Sequence, residues 1–145
     1  WIVGDGPVRA DLENLAHAIY PHTTFYGTLH GLELETCFKR ADLFVLPGTG
    51  GLAVQQAMSF GLPVIVAEAD GTQEDLVRPE NGWQIPPGDG QTLQAVLAEA
   101  LTIPGRLRKM GEASYHIVRD EINRETMVSV FVTALKFVTR AYNEV

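Results

Sequence analysis

Apolar residues recur along this chain at two spacings, and the spacings predict its elements. Leu12, Leu15, Ala16 and Ile19 fall at i, i+3, i+4 and i+7, as do Leu34, Cys37, Phe38 and Ala41; each set is one face of an amphipathic helix. Leu93, Val96, Leu97, Ala100 and Leu101 form a third stripe, and Pro104 opens a helix that would carry Leu107, Met110, Ala113 and Ile117. From Glu125 to Tyr142 the positions Met127, Val130, Phe131, Ala134, Leu135, Val138 and Tyr142 make a wide apolar face, so this tail is expected to be docked. Strands read differently. Trp1–Val3 looks like a strand end, Thr23–Tyr26 is a short β-branched and aromatic run closed by Gly27, and Trp83–Ile85 follows the turn Glu80-Asn81-Gly82. Asp42–Leu46 is nearly all apolar, as expected of a central strand covered on both faces. Pro63–Ala67 is a second buried strand, with proline tolerated at its start.

Between the two buried runs lies Pro47 to Val66, PGTGGLAVQQAMSFGLPVIV. It reads as glycine loop, short buried helix over Leu52–Phe60 with Met58 in the core, turn and strand. A glycine loop opening a helix can hold an anion, because the first helical N–H groups lack partners and carry the positive end of the dipole. A tight connection needs glycine for geometry alone, and the loop by itself does not separate the two. Pro7 suits a first-turn position after the turn Gly4–Pro7, Thr72 is an expected N-cap for Gln73–Val77, and Pro86–Gly90 is a rigid turn. Strands thus alternate with helices and two longer helices close the chain. This pattern predicts an α/β fold with a parallel sheet covered on both faces, its ligand crevice at the carboxyl ends of the strands. The loops at that edge are Gly4–Pro7, Gly27–Gly31, Pro47–Gly51 and Glu68–Thr72.

The 145 residues fit one domain, and 46% hydrophobic with 20% charged residues allows one core. A net charge of −7 without any Lys/Arg cluster argues against a nucleic-acid binder. The single cysteine, Cys37, excludes an internal disulfide and a multi-cysteine zinc site, fits a reducing compartment, and reads as core sooner than nucleophile. No apolar run nears the ~20 residues that span a bilayer, and no leader pattern is expected. His17, His22, His30 and His116 lack metal-ligand spacing, so no metal is expected. Glu68 and Asp70 stand at the functional edge, near a substrate or simply solvated; Glu74 and Asp75 are first-turn acids. Gly4-Asp5-Gly6-Pro7-Val8-Arg9 lacks the third glycine of a dinucleotide fingerprint, and Asp42 is at the wrong end of its strand for a phospho-acceptor.

The order IVGDGP, TFYGTL, ADLFVLP, glycine loop, QAMSFGLPVIV, DG, NGW and IPPGD, from Ile2 to about Leu101, closely resembles the C-terminal Rossmann-like half of the retaining glycosyltransferases built from two such domains, the group 1 type. The resemblance implies that residues 1–145 are a nucleotide-sugar-binding Rossmann-like domain, a piece lacking its first strand and helix and an N-terminal acceptor domain. It implies a UDP- or GDP-linked sugar as donor, a glycan or lipid-linked acceptor, retention, and transfer without metal or other cofactor. It places Gly48, Thr49, Gly50, Gly51, Leu52, Ala53 and Gln56 around the diphosphate and ribose, and Leu29 and His30 at the base.

The family's pair of glutamates, eight positions apart, falls here on Gly48 and Gln56, so no catalytic residue is assigned. Gln56 keeps an amide for the ribose but loses a charge-assisted bond, about twice as strong as a neutral one. The Arg and Lys that embrace the diphosphate in the family would lie upstream of Trp1. This piece alone is expected to be inactive, and the whole protein cytoplasmic, peripheral to a membrane. The alternatives are a nucleotide-sugar epimerase of the same architecture and a non-catalytic module that kept the phosphate loop and lost the glutamates.

Overall fold

The computed structural model describes residues 1–48, 50–69, 71–102 and 104–143; Thr49 and Asp70 lie outside the described residues. The chain divides into two compact units, Trp1–Arg40 and Ala41–Val145. Both are built on parallel strand pairing, with helices on both sheet faces as the alternation predicts.

In the first unit, β1 (Ile2–Val3) runs parallel to β2 (Phe25–Gly27), Ile2 facing Phe25 and Val3 facing Gly27 across an irregularity. Gly27 has φ +70°, and a Cβ there would stand 2.8 Å from the guanidinium of Arg9. Arg9 in turn holds Asp5 at 3.2 Å and Glu13 at 2.7 Å, tying the Gly4–Pro7 turn to the first helix. That helix, α1 (Arg9–Ile19), starts two residues after Pro7, which sits in the preceding turn. Its apolar stripe forms as spaced, but Leu12, Leu15 and Ile19 are exposed and α1 buries nothing. Spacing makes a helix amphipathic; burial needs a neighbour on that side, and the described residues provide none. The second helix, α2 (Gly31–Arg40), buries Phe38 and leaves Cys37 half-buried, in keeping with a packing role.

The second unit holds β3 (Phe44–Leu46), α3 (Gly51–Ser59), β4 (Val64–Ala67), α4 (Thr72–Leu76), β5 (Gly82–Ile85), α5 (Gly90–Thr102), α6 (Pro104–His116), a π-helical turn (Ile117–Glu121) and α7 (Arg124–Asn143). The strands order as β3-β4-β5, Phe44 opposite Val64 and Val64 opposite Gly82. The central strand is therefore β4, all four residues buried. The run containing β3 forms an edge of this sheet and is only half-buried, against the sequence expectation. On one face Ile65, Ala67 and Ile85 pack against Leu93, Val96 and Leu97 of α5. Strand period places Val64 and Val66 on the other face, where Val64 meets Val77 beside Gly82. Val54, Ala57 and Met58 of α3 are fully buried, as expected for Met58.

Three further expectations change. The cap of α4 is Gly71, left-handed at φ +93°, and Thr72 is the first helical residue. Leu101 is exposed, because its position in the stripe turns past the edge of the α5 contact. The tail helix α7 exposes Met127, Val130, Phe131, Leu135 and Val138 together with Val128, Val132 and Phe137, so no described element covers its apolar face. Asn81 does more than turn the chain. Wholly buried, it donates to the Leu76 carbonyl at 3.0 Å and Ser114 Oγ at 3.3 Å and accepts from Arg78 N–H at 2.7 Å, joining the α4–β5 turn to α6. Gln73 is also buried, with Oε1 lacking a hydrogen-bond partner.

Candidate functional site

The start of α3 is set by what precedes it. β3 ends at Leu46, Pro47 cannot continue the ladder, and Gly48 lies exposed beyond it. Gly50 occupies the N-cap position at φ +153°, ψ +102°, a backbone that side chains rarely adopt; a Cβ there would also press within 3.2 Å of Leu46 Cδ2. Glycine offers no side chain of its own to cap the helix. The N–H groups of Gly51, Leu52 and Ala53, the first helical turn, are left without intrahelical acceptors. Gly51 passes Thr72 Oγ1, which a Cβ would meet at 3.5 Å, so the starts of α3 and α4 adjoin. Leu52 is 84% exposed and Ala53 is exposed, which leaves this helix end open to a ligand.

One turn on, the two glutamines divide. Gln55 donates to the Ile122 carbonyl at 2.7 Å, anchoring α3 to the end of the π-helical turn. Gln56 is exposed; its backbone carbonyl accepts from Ser59 Oγ at 2.7 Å, and among the described residues its side chain has no hydrogen-bond partner. The structure therefore gathers Gly50, Gly51, Leu52, Ala53 and Gln56 on one open helix end, with Gly48 just before it and Thr49 outside the described residues. Glu68 is exposed after β4, its N–H given to the Ile85 carbonyl.

In the first unit, Leu29 is half-buried and His30 exposed just before α2. Leu29 lines a cleft of about 290 Å³ with Trp1, Tyr26, Glu33, Thr36, Cys37 and Arg40. Nothing in the spacing of the sequence announces this cleft; it arises because Glu33, Thr36, Cys37 and Arg40 share one side of α2. Among the described residues no three His, Cys, Asp or Glu side chains cluster as metal ligands would.

Titrations are perturbed away from these positions. Asp89 is held below the usual carboxylate range by the Thr92 hydroxyl and by the N–H groups of Thr92 and Gln91, making it the cap of α5. Asp120 and Glu121 are lowered by hydrogen bonds from Arg119 and Arg78, ion pairs around the π-helical turn.

An open, glycine-led helix start after a β-strand suits an anion. The model of the family "Glycosyl transferases group 1" matches residues 1–117. The chain belongs to that family. It is 40% identical over 93 residues to sulfoquinovosyl transferase SQD2 of Arabidopsis thaliana, covering 60% of this chain and 18% of that protein. With a GDP-mannose-dependent alpha-mannosyltransferase of Corynebacterium glutamicum it shares 32% identity over 123 residues, 83% of this chain and 29% of that protein. Among solved structures, the sucrose-phosphate synthase from Thermosynechococcus elongatus superposes with a TM-score of 0.78 at 24% identity, covering 96% of this chain and 38% of that one. That last likeness carries the fold alone. The group 1 glycosyltransferase chain thus spans less than a third of the length of the plant and the corynebacterial relative alike.

Proposed function

We propose that this chain is the donor-binding domain of a retaining, metal-independent glycosyltransferase that moves a sugar from a nucleotide-diphosphate sugar to a glycan or lipid-linked acceptor. The observation that carries the reading is the glycine-led, exposed start of α3 behind the positive-φ Gly50. Its first-turn N–H groups, which have no acceptor within the helix, and the positive end of the helix dipole complement a diphosphate, and as charge develops on the leaving group those donors are already in place. Relatives described as GDP-mannose-dependent support a nucleotide-linked donor. Gln56, exposed one turn along α3, offers its amide to the ribose hydroxyls, and Gly48 and Thr49 are proposed to belong to the same donor site. Leu29 and His30 in the first unit are proposed for the base. The whole protein acts in the cytoplasm, at the periphery of a membrane when its acceptor is lipid-linked, and these 145 residues by themselves do not turn over.

Glycine at position 48 and glutamine at 56 favour a second reading, a module that binds a nucleotide sugar without transferring it. Titration of UDP and GDP, each alone and sugar-linked, into the whole protein tests both. Saturable binding with sugar transfer is the expected result; binding without transfer to any acceptor leaves the module, and no saturable binding to any of the four ends the donor-site reading.

A further inference from the structure

Gly51, the first residue of α3, is a glycine that packing does not require. Gly50, Gly61 and Gly71 have positive φ, and a Cβ at Gly82 or Gly111 would overlap the carbonyl oxygen of Val64 or of Gly61. Gly51 has neither reason. Its φ is not positive, and a Cβ there would meet Thr72 Oγ1 at 3.5 Å, Thr72 Cβ at 3.8 Å and Leu76 Cδ1 at 4.0 Å, all ordinary van der Waals distances. Alanine would fit this space and is the better helix former. Gly90 and Gly105, in the first turns of α5 and α6, also lack a packing reason, but a Cβ at either would have nothing within 4 Å. At Gly51 the missing methyl faces a hydroxyl.

Each Cα–Cβ bond of a helix tilts toward its N-terminus, so the hydroxyl that a Gly51 Cβ would meet flanks the open end of α3. Gly71, at φ +93°, turns the chain so that Thr72 begins α4 at this place, and Thr72 is exposed. The methyl-sized gap is thus bordered by the first-turn N–H groups of α3 and by an O–H that rotates to suit an acceptor. A phosphoryl oxygen accepts from both and is small enough to enter. We infer that one oxygen of the donor's diphosphate occupies this gap, with the Thr72 hydroxyl as a further hydrogen-bond donor to it and Gly51 as the residue that leaves it room. The inference rests on the donor-binding reading, lies within the Ala41–Val145 unit alone, and adds a side-chain contact from α4 to the backbone contacts of α3.

A threonine that opens a helix can also serve its own turn, so the test reads binding and stability together. GDP and UDP are titrated calorimetrically into the whole protein and into its Thr72→Val, Thr72→Ser and Gly51→Ala variants, and each melting temperature is measured. Thr72→Val keeps the branched shape and removes the hydroxyl; it should weaken whichever nucleotide the wild type binds by about tenfold or more, the scale of a hydrogen bond to a charged group. Thr72→Ser keeps the hydroxyl and should bind close to wild type. Gly51→Ala should lose affinity comparably while its melting temperature stays level or rises. Undiminished binding by Thr72→Val, or an equal loss in Thr72→Ser, would overturn the Thr72 contact. Undiminished binding or a lowered melting temperature in Gly51→Ala would overturn the gap. Each of these results leaves the donor-binding reading intact, whereas failure of the wild type to bind either nucleotide would overturn the two together.

Discussion

A carboxylate and an amide differ at Gln56 by one atom, and in the proposed donor site that atom sets how strongly a ribose would be held. Because Gln55 takes the structural bond to Ile122, position 56 is free to change without disturbing the packing of α3. Gln56→Glu is expected to tighten nucleotide binding several-fold through a charge-assisted bond while leaving the melting temperature where it was; unchanged affinity would remove Gln56 from the ribose. At Asp89 the charge matters for folding. Its folded-state pKa is depressed below 3.8, so its cap stabilises the fold above that value and is lost as pH falls through the folded-state pKa. Asp89→Ala should therefore lower the urea midpoint at pH 7, and the gap to wild type should close as the buffer is taken below about pH 3.8. The sequence does carry the signal for this cap, an aspartate just ahead of Gly-Gln-Thr and an apolar stripe. It is masked by the turn chemistry of Pro86–Gly90, which the same residues satisfy.

The element on which the site depends is α3, and both of its ends are fixed by glycine. At the far end Gly61 turns at φ +73°, and its carbonyl oxygen lies so close to Gly111 of α6 that a Cβ at Gly111 would overlap it. Gly111→Ala must push α6 away or displace the Gly61 turn. The expected cost is ~1–3 kcal/mol, the usual range for overpacking, with a lower melting temperature. Nucleotide affinity should fall with it, since the start of α3 moves with its end; an unchanged melting temperature would show that the helices separate freely there. Existence and type of α3 and β4 are readable from the sequence because an apolar run bounded by glycine and proline admits few alternatives. Which strand is central is not. Asp42–Leu46 and Pro63–Ala67 are equally apolar, and only pairing partners distinguish an edge from a centre. Likewise, a buried Asn81 looks the same in sequence as an exposed turn asparagine until Leu76 and Ser114 are brought to it.

For the molecule as a whole, periodicity tells which helix faces seek cover and says nothing of where cover lies. That is why the stripes of α1 and α7 are legible as helical and yet stand exposed, against the docked tail that the width of the α7 face predicts. No described helix is long and apolar enough to cross a membrane. The chain carries −7 and has a pI near 5.0, so its long-range field opposes any nucleotide diphosphate, and attraction must come from groups in contact. Leu52 bears on how that contact is driven. It stands 84% exposed beside the N–H groups proposed to receive the anion, and a ligand that also covers its isobutyl group takes that group out of water. Apolar surface leaving water lowers the heat capacity. Phosphate capture at the proposed site is then expected to be part dehydration: its enthalpy should grow more exothermic on warming, and the share contributed by Leu52 should persist in salt that screens the charge away.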